Sequence, residues 1–344
     1  MIGTARPYPE VGAPGRGGVA PFMPVCLRIP PAYCGHVCHA ASPQGAAMAR
    51  IRPTLHGSQL GGGSLSFEEK VSLAGSAGYP GVDFGLNEAH AYGDVAKVRA
   101  LLDRNHVVPG TIGGVVRAGL FSPEADFAAA LDQVHATAAE VVALGGNVTG
   151  GGVPRFTAVP KVDAWPVAVE RIKRLDAALE GTGVTIGLEF LGCPVYKPET
   201  IAHWTGRGEV HPFVQSLAET NELLHEAGSR NVGITLDSYH WYGSHGTLDQ
   251  VRETPGRWIS LLHINDGKAD VDRDHLHDFD RVMPGHGNFP LGAWLQAISS
   301  TGFDGFVALE VLGPAMEGVA PAAYAEAGIA ALTPIYAQAG LSLR

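Results

Sequence analysis

The sequence predicts an α/β protein, a (β/α)8 TIM barrel preceded by a disordered extension. Its 344 residues suffice for one barrel, and from Arg50 onward short β-like runs alternate with longer helical patterns. The strongest β-like runs are almost wholly apolar, as expected of parallel strands buried on both faces. A doubly wound open sheet is the alternative, but no GxGxxG follows the first predicted strand.

The barrel is predicted to span residues 48–344, after an extension over residues 1–47. The extension is rich in Pro, Gly and Ala without sustained periodicity, which is typical of disorder. Three of the four cysteines lie there with two histidines, but the spacing C-x7-C-x3-C lacks the C-x2-C pair of common structural zinc sites. The segment beginning at Met48 is therefore taken as the start of the folded domain.

Eight β-like runs follow in order, the fourth being the weakest. They occupy residues 53–58, 81–86, 107–114, 145–151, 184–190, 231–237, 258–266 and 306–311. Between and after them lie amphipathic patterns with apolar residues three and four apart, and many of these end in Gly, as helix C-termini often do. The predicted helices occupy residues 66–78, 94–105, 123–145, 168–181, 214–228, 290–302 and 322–340.

Composition excludes some classes of partner. Hydrophobic residues make up 45% of the chain, charged residues 17%, and the formal net charge is −10. A nucleic-acid partner usually requires a basic face, so that class is disfavoured. No apolar run reaches the 18 or more residues of a membrane span, and MIGTARPYPE lacks the features of a signal peptide. A cytoplasmic enzyme without a membrane partner is expected.

Four polar residues lie at or near the ends of the last four predicted strands: Glu189, Asp237, His263 and Glu310. Catalytic side chains of such barrels come from the carboxyl ends of strands. Three converging carboxylates repel each other unless a cation neutralises them. One divalent ion (Mn, Mg, Co or Zn) bound by these oxygens and one imidazole explains all four. Taken singly, each acid has the alternative explanation of a helix cap or a salt-bridge partner.

Five motifs carry a resemblance to a known family: LEFLGCP (188–194), LDSYHW (236–241), HIND (263–266), DRVMPGHG (280–287) and LEV (309–311). From about residue 53 onward the chain resembles the xylose-isomerase-like TIM-barrel family, within the sugar phosphate isomerase/epimerase superfamily. The inosose (2-keto-myo-inositol) isomerase type is the most similar.

The resemblance implies roles for six residues. Glu189, Asp237, His263 and Glu310 would be the metal ligands, and Glu189 and Glu310 would also transfer the proton. His240 and Arg281 would contact the substrate, although His240 alternatively braces Asp237. The implied activity is isomerisation or epimerisation of a keto-cyclitol or ketose through a metal-stabilised enediolate, in a homo-oligomer.

Other functions use related machinery. Elimination on the same scaffold, as in inosose dehydration or cleavage of a 3-keto-C-glycoside, is the principal alternative. A DNA-repair endonuclease of related ancestry would need more metal ligands and a basic groove, and a non-catalytic sugar-binding barrel would not need both glutamates. His56 and Gln59, at the end of the first strand, face the predicted mouth and are further candidates for substrate contact.

Overall fold

A computed structural model describes residues 50–57, 60, 65–196 and 209–343. The predicted disordered extension over residues 1–47 lies outside the described residues, and so does Gln59. From Arg50 onward, the described chain alternates strands and helices, as the sequence predicts.

Eight parallel strands form a nearly closed barrel, which confirms the predicted fold class. Hydrogen-bonded neighbours follow the order β3-β2-β1-β8-β7-β6-β5-β4, and β3 lies beside β4. All eight predicted strands are confirmed. Their bounds are β1 Ile51–Leu55, β2 Gly81–Gly85, β3 Val108–Gly113, β4 Val148–Gly152, β5 Thr185–Glu189, β6 Val232–Asp237, β7 Ile259–Ile264 and β8 Gly305–Leu309.

The strands β6, β7 and β8 are the most deeply buried. Every residue of the three is buried, including Asp237 and His263. Their Val, Ile and Leu side chains pack against the helices outside the barrel or against one another inside it, which is why these strands read as continuous apolar runs. Two buried polar residues at the carboxyl ends of such strands therefore require local partners.

Ten α-helices are described, and all seven predicted helices are among them. Their starts and stops follow local chemistry: Ser66 and Glu69 form a capping box at the first helix, which ends before Gly78 at a φ of 86°. The bounds are α1 Phe67–Ala77, α2 Leu86–Tyr92, α3 Val95–Arg104, α4 Glu124–Ala143, α5 Lys161–Leu179, α6 Leu217–Ala227, α7 Ser238–Gly243, α8 Leu248–Glu253, α9 Leu291–Ser300 and α10 Pro321–Ala339.

The helices differ from the prediction in two respects. Helix α5 begins at Lys161, well before the predicted start at residue 168, and it contains Pro166. Pro usually interrupts a helix, so the sequence pattern indicated a start only after it. The helices α2, α7 and α8 were not predicted because six or seven residues are too few to establish a helical period. No described helix is long and apolar enough to cross a bilayer.

Candidate active site

The four predicted metal ligands meet at the carboxyl end of the barrel. Glu189 and Asp237 are the last residues of β5 and β6, His263 lies in β7, and Glu310 directly follows β8. Asp237 and His263 are register partners on adjacent strands. One potential ligand atom from each of the four residues lies within 4.8 Å of the other three. The barrel topology thus brings together four residues that are far apart in the chain.

His263 lies between the two glutamates. Its Nδ1 is 2.8 Å from Glu189 Oε1 and 3.2 Å from Glu310 Oε2. Burial by itself lowers the pKa of His263, but the charges of Glu310 and Glu189 outweigh burial and raise the pKa well above its usual value. For Glu310, burial raises the pKa, yet His263 and Arg281 hold it well below the usual range. The positive charge on His263 and the negative charge on Glu310 therefore stabilise each other.

Asp237 is completely buried, and hydrogen bonds satisfy both of its oxygens. Its Oδ1 accepts the backbone N–H of Tyr239 at 2.6 Å and Nδ2 of Asn265 at 3.1 Å. Its Oδ2 accepts Nη1 of Arg281 at 2.7 Å. Asp237 is thus the N-cap of α7 and a salt-bridge partner as well as a member of the four-residue cluster. The helix cap and the salt bridge, which are the alternative explanations for such an acid, are thus both present at a residue that also belongs to the four-residue cluster.

Arg281 is the buried cation of the site, with a side chain 1% exposed. Its guanidinium donates to Asp237 Oδ2, to Glu310 Oε2 at 3.0 Å and to Asp278 Oδ1 at 2.7 Å. It also lies over the Tyr239 ring, 4.9 Å from the centroid. A buried guanidinium with three carboxylate partners is well compensated electrostatically.

An antiparallel pair of two-residue strands brings Arg281 to the cluster. Asp266–Gly267 pairs antiparallel with Arg281–Val282, although these segments are separated along the chain. The buried Asp266 carboxylate then accepts the backbone N–H groups of Gly285, Gly287 and Phe289 at 2.9–3.1 Å. The DRVMPGHG segment is therefore fixed against the end of β7, which positions the guanidinium.

His240 lies behind the cluster, 1% exposed. Its Nε2 is 3.3 Å from Arg281 Nη2 and 3.8 Å from Asp278 Oδ1, and its buried Nδ1 has no hydrogen-bond partner among the described residues. Neither His240 nor Arg281 is among the described residues that line the adjacent cavity. Substrate contact by these two residues stays a prediction.

A cavity of about 510 Å³ opens beside the cluster, a size in the usual range of small-molecule sites. Glu189 and His263 line one side, and His56, Asp83 and the pair Lys70 and Glu88 line the other. Between them the walls are partly glycine, which keeps the space open. The lining glycines are Gly57, Gly85, Gly113, Gly150 and Gly151.

The four-residue cluster fits a divalent ion. Bonds of about 2.0–2.2 Å to oxygen and nitrogen separate opposite ligands by at most about 4.4 Å, close to the observed spread of 4.8 Å. Three carboxylates and one imidazole form a donor set that suits Zn²⁺, Mn²⁺ or Co²⁺. Glu189, Asp237, His263 and Glu310 would therefore be the residues that hold the ion.

Sequence reasoning did not assign roles to several residues around the site. Asp83 lies in the middle of an apolar strand, and that anomaly was visible in GVDFGL. Asp266 was visible in HIND, but its backbone partners lie about 20 residues further along the chain. Asp278, which pairs with Arg281, lies in a polar segment where one acid among many carries no distinguishing signal.

Fold and site together define a TIM barrel with a carboxylate-histidine cluster at the mouth. A family model described as "Xylose isomerase-like TIM barrel" matches residues 71–335, and the chain belongs to this family. The resemblance inferred from the five motifs is confirmed.

Curated relatives match over part of the chain. An inosose isomerase of Bacillus subtilis (strain 168) is 31% identical over 171 residues, 47% of this chain and 55% of that protein. A 3-dehydroshikimate dehydratase of Pseudomonas aeruginosa is 28% identical over 114 residues, 32% of this chain and 18% of that protein. The chain thus spans about half the length of the inosose isomerases it matches.

Solved structures match over most of the chain. A xylose isomerase domain protein from Alicyclobacillus acidocaldarius is 27% identical with a TM-score of 0.72, covering 85% of this chain and 100% of that one. An IOLI protein with a bound zinc atom has a TM-score of 0.69 at 19% identity, covering 84% of this chain and 99% of that one. The second similarity shows the fold alone.

Proposed function

We propose that this protein is a divalent-metal-dependent isomerase or epimerase of a keto-cyclitol or ketose. The observation that carries the proposal is the convergence of Glu189, Asp237, His263 and Glu310 within 4.8 Å beside a cavity of about 510 Å³. The partial match to inosose isomerases supports a cyclitol ketone as the substrate class. A divalent ion at this cluster would supply Lewis-acid polarisation of the ketone and its neighbouring hydroxyl.

The two glutamates are the proposed proton-transfer pair. Their carboxylates lie 2.8 and 3.2 Å from the same nitrogen of His263, so they flank one point of the site. One carboxylate takes the proton from the carbon next to the ketone, and the other returns a proton to the opposite face or to the adjacent carbon. Asp237 and His263 complete the ligand set, while Arg281 and His240 are proposed to contact substrate oxygens.

The charge of the cavity favours an unphosphorylated substrate. Lys70 is the only Lys or Arg among the described lining residues, and its Nζ is already paired with Glu88 Oε1 at 2.5 Å. A phosphate needs cations or free backbone N–H groups at a helix N-terminus. A neutral polyhydroxy ketone needs only hydrogen-bonding groups, and His56, Thr111 and Thr235 line the same cavity.

A metal-dependent lyase is the second candidate, as in inosose dehydration or 3-keto-C-glycoside cleavage. The match to a 3-dehydroshikimate dehydratase favours it, because dehydration also begins with loss of a proton next to a carbonyl. The two reactions then diverge: elimination expels a β-substituent, whereas isomerisation returns the proton.

Deuterium exchange separates the candidates. Metal-loaded protein is incubated in D₂O with inososes, ketoses and 3-keto-glycosides, and NMR follows deuterium uptake and product structure. Uptake with a rearranged or epimerised product supports the isomerase, and loss of water or an aglycone supports the lyase. If neither exchange nor product appears with Mn²⁺, Mg²⁺, Co²⁺ or Zn²⁺, both proposals are wrong.

A further inference from the structure

We infer that His56, held by Asp83, is a further catalytic residue that moves the hydroxyl proton while the two glutamates move the carbon-bound proton. The inference rests on the proposed isomerase function and concerns the cavity wall next to the four-residue cluster. This wall is built from β1, β2 and β3, which supply none of the four proposed ligands.

Asp83 is a buried carboxylate whose hydrogen bonds all serve to hold this wall together. It is 4% exposed. Its Oδ1 accepts the Thr54 hydroxyl at 2.8 Å and the backbone N–H of Thr111 at 2.7 Å, and its Oδ2 is 3.0 Å from His56 Nδ1. Because groups from β1 and β3 fix Asp83, its free oxygen presents a fixed acceptor to the imidazole.

That acceptor determines the tautomer of His56. An ionised carboxylate only accepts, so Nδ1 carries the proton it donates to Asp83. In the neutral ring, Nε2 then has a lone pair on the opposite side. The His56 side chain is 22% exposed and lines the cavity, so Nε2 is the nitrogen available to a bound molecule. Histidines oriented in this way commonly act as acid–base groups.

His56 lies close to the four-residue cluster, directly after β1, and β1 is the sheet neighbour of β8. Its ring centroid is 5.5 Å from that of His263, and both rings line the cavity together with Glu189. A hydroxyketone with its carbonyl at the cluster would therefore have an oxygen within reach of both walls. The other described lining imidazole, His263, pairs with Glu189 and Glu310 and belongs to the four-residue cluster itself.

Isomerisation of a hydroxyketone requires two proton movements. One glutamate breaks the carbon–hydrogen bond, and the other forms such a bond on the adjacent carbon. The hydroxyl on that first carbon must also lose its proton as its oxygen becomes the new carbonyl, while the old carbonyl oxygen gains one. Nε2 of His56 accepts the hydroxyl proton, leaving the electron pair on oxygen, and delivers the same proton to the former carbonyl oxygen. The substrate gains and loses no proton overall. The glutamate that forms the new bond begins protonated, the other ends protonated, and proton exchange with water restores the pair before the next turnover.

The test separates exchange from conversion, with 2-keto-myo-inositol as the probe. In D₂O, His56→Gln is expected to retain deuterium uptake at the carbon within about tenfold of wild type. Formation of the rearranged ketone is expected to fall by roughly 10²- to 10³-fold, the usual contribution of one acid–base group. Asp83→Asn is expected to show the same split, because the amide oxygen would stay on Thr54 and Thr111 and the amide NH₂, a donor, would face Nδ1 of His56.

Two readouts guard against a structural explanation. Bound metal and the thermal midpoint of His56→Gln should equal those of wild type, and a fall in bound metal would instead make His56 a ligand. His90→Gln is the matched control, since His90 also pairs with a carboxylate, that of Glu140, but on the surface. Unchanged conversion, or an equal loss of exchange and conversion, would overturn the inference. Absence of exchange and conversion in the wild type would instead refute the proposed function itself.

Discussion

The two walls of the cavity are built on different principles. On the wall formed by β5 to β8, four polar side chains converge, and two of them, Asp237 and Glu310, form ion pairs with Arg281. On the wall formed by β1 to β3, the buried carboxylate of Asp83 accepts hydrogen bonds from a hydroxyl and a backbone amide and pairs with the imidazole of His56. The first arrangement suits a cation, because repulsion between carboxylates is relieved by positive charge. The second suits orientation of a side chain, because nothing in it demands a cation.

The difference teaches that a buried acid in a barrel is not in itself a sign of metal binding. Asp83 and Asp237 are both almost fully buried at strand ends or within strands. The neighbours of the two acids differ: Asp237 belongs to a cluster with two other carboxylates, whereas hydroxyl, amide and imidazole groups surround Asp83. Substitutions on each wall should therefore change different observables.

The largest effect is expected for Glu310→Gln, in the four-residue cluster on the wall formed by β5 to β8. The amide cannot take a proton, so turnover of 2-keto-myo-inositol should fall by about 10³- to 10⁴-fold, and deuterium exchange should fall with it. Steady-state kinetics and NMR exchange measure both. Glu317→Gln, an exposed residue on the following loop, is the control. Intact turnover in Glu310→Gln would disprove the proton-transfer role.

Arg281→Met should mainly change stability. Removing the guanidinium leaves Asp237 and Asp278 without their shared cation, which should cost about 3–5 kcal/mol in urea unfolding of the metal-free protein. Mn²⁺ should recover more stability in this variant than in wild type, because a dication offsets the same carboxylates. Arg252→Met, which breaks an exposed pair with Asp249, should cost less than about 1 kcal/mol. Equal losses would refute the assigned burial effect.

Asp237→Asn should weaken metal binding by roughly 100-fold, since an amide oxygen is a weaker ligand than a carboxylate. Titration of the metal-free protein with Zn²⁺ or Mn²⁺ measures the change. Asp304→Asn, which removes a surface partner of Arg52, should bind metal as wild type does. Stoichiometric binding with unchanged affinity in Asp237→Asn would count against the ligand assignment.

Gly150→Ala tests the space between the walls, because β4 separates β3 from β5 in the strand order. A Cβ at this position meets no heavy atom within 4 Å, so the methyl group enters open space next to the cavity. We expect KM for a six-membered ring ketone to rise by about fivefold, roughly 1 kcal/mol, with little change in kcat. An unchanged KM would place the substrate elsewhere.

Asp176→Asn tests a carboxylate remote from both walls. Burial raises the pKa of Asp176, but N–H groups of residues 230–232 and the Ser229 hydroxyl hold it below the usual value. Its stabilisation is therefore present above the unfolded pKa of about 3.9 and is lost as pH falls through the lower folded value. The thermal midpoint of the variant should be lower at pH 7 by the equivalent of about 1 kcal/mol and should depend less on pH between 5 and 3. A parallel pH profile would contradict this.

The four clustered residues were predictable because each of them stands out within a short stretch of sequence. Each of the four clustered residues directly ends, or nearly ends, a run of apolar residues, and parallel strands in a barrel bring such ends to one mouth. The helix ends were equally local, as the Ser66 cap and Gly78 illustrate. The short helices α7 and α8 were not predicted because six residues are fewer than two helical turns.

The amino-acid sequence by itself determined the eight strands, the four polar strand ends and the family, because each depends on residues within a few positions of one another. Only the tertiary structure decided the pairings. His56 meets Asp83 across 27 positions and Arg281 meets Asp237 across 44, and a histidine or an arginine in a loop carries no local mark of its partner. Burial and hydrogen bonding are properties of the packed barrel, so the pairing of His56 with Asp83 became visible only when the strands were assembled.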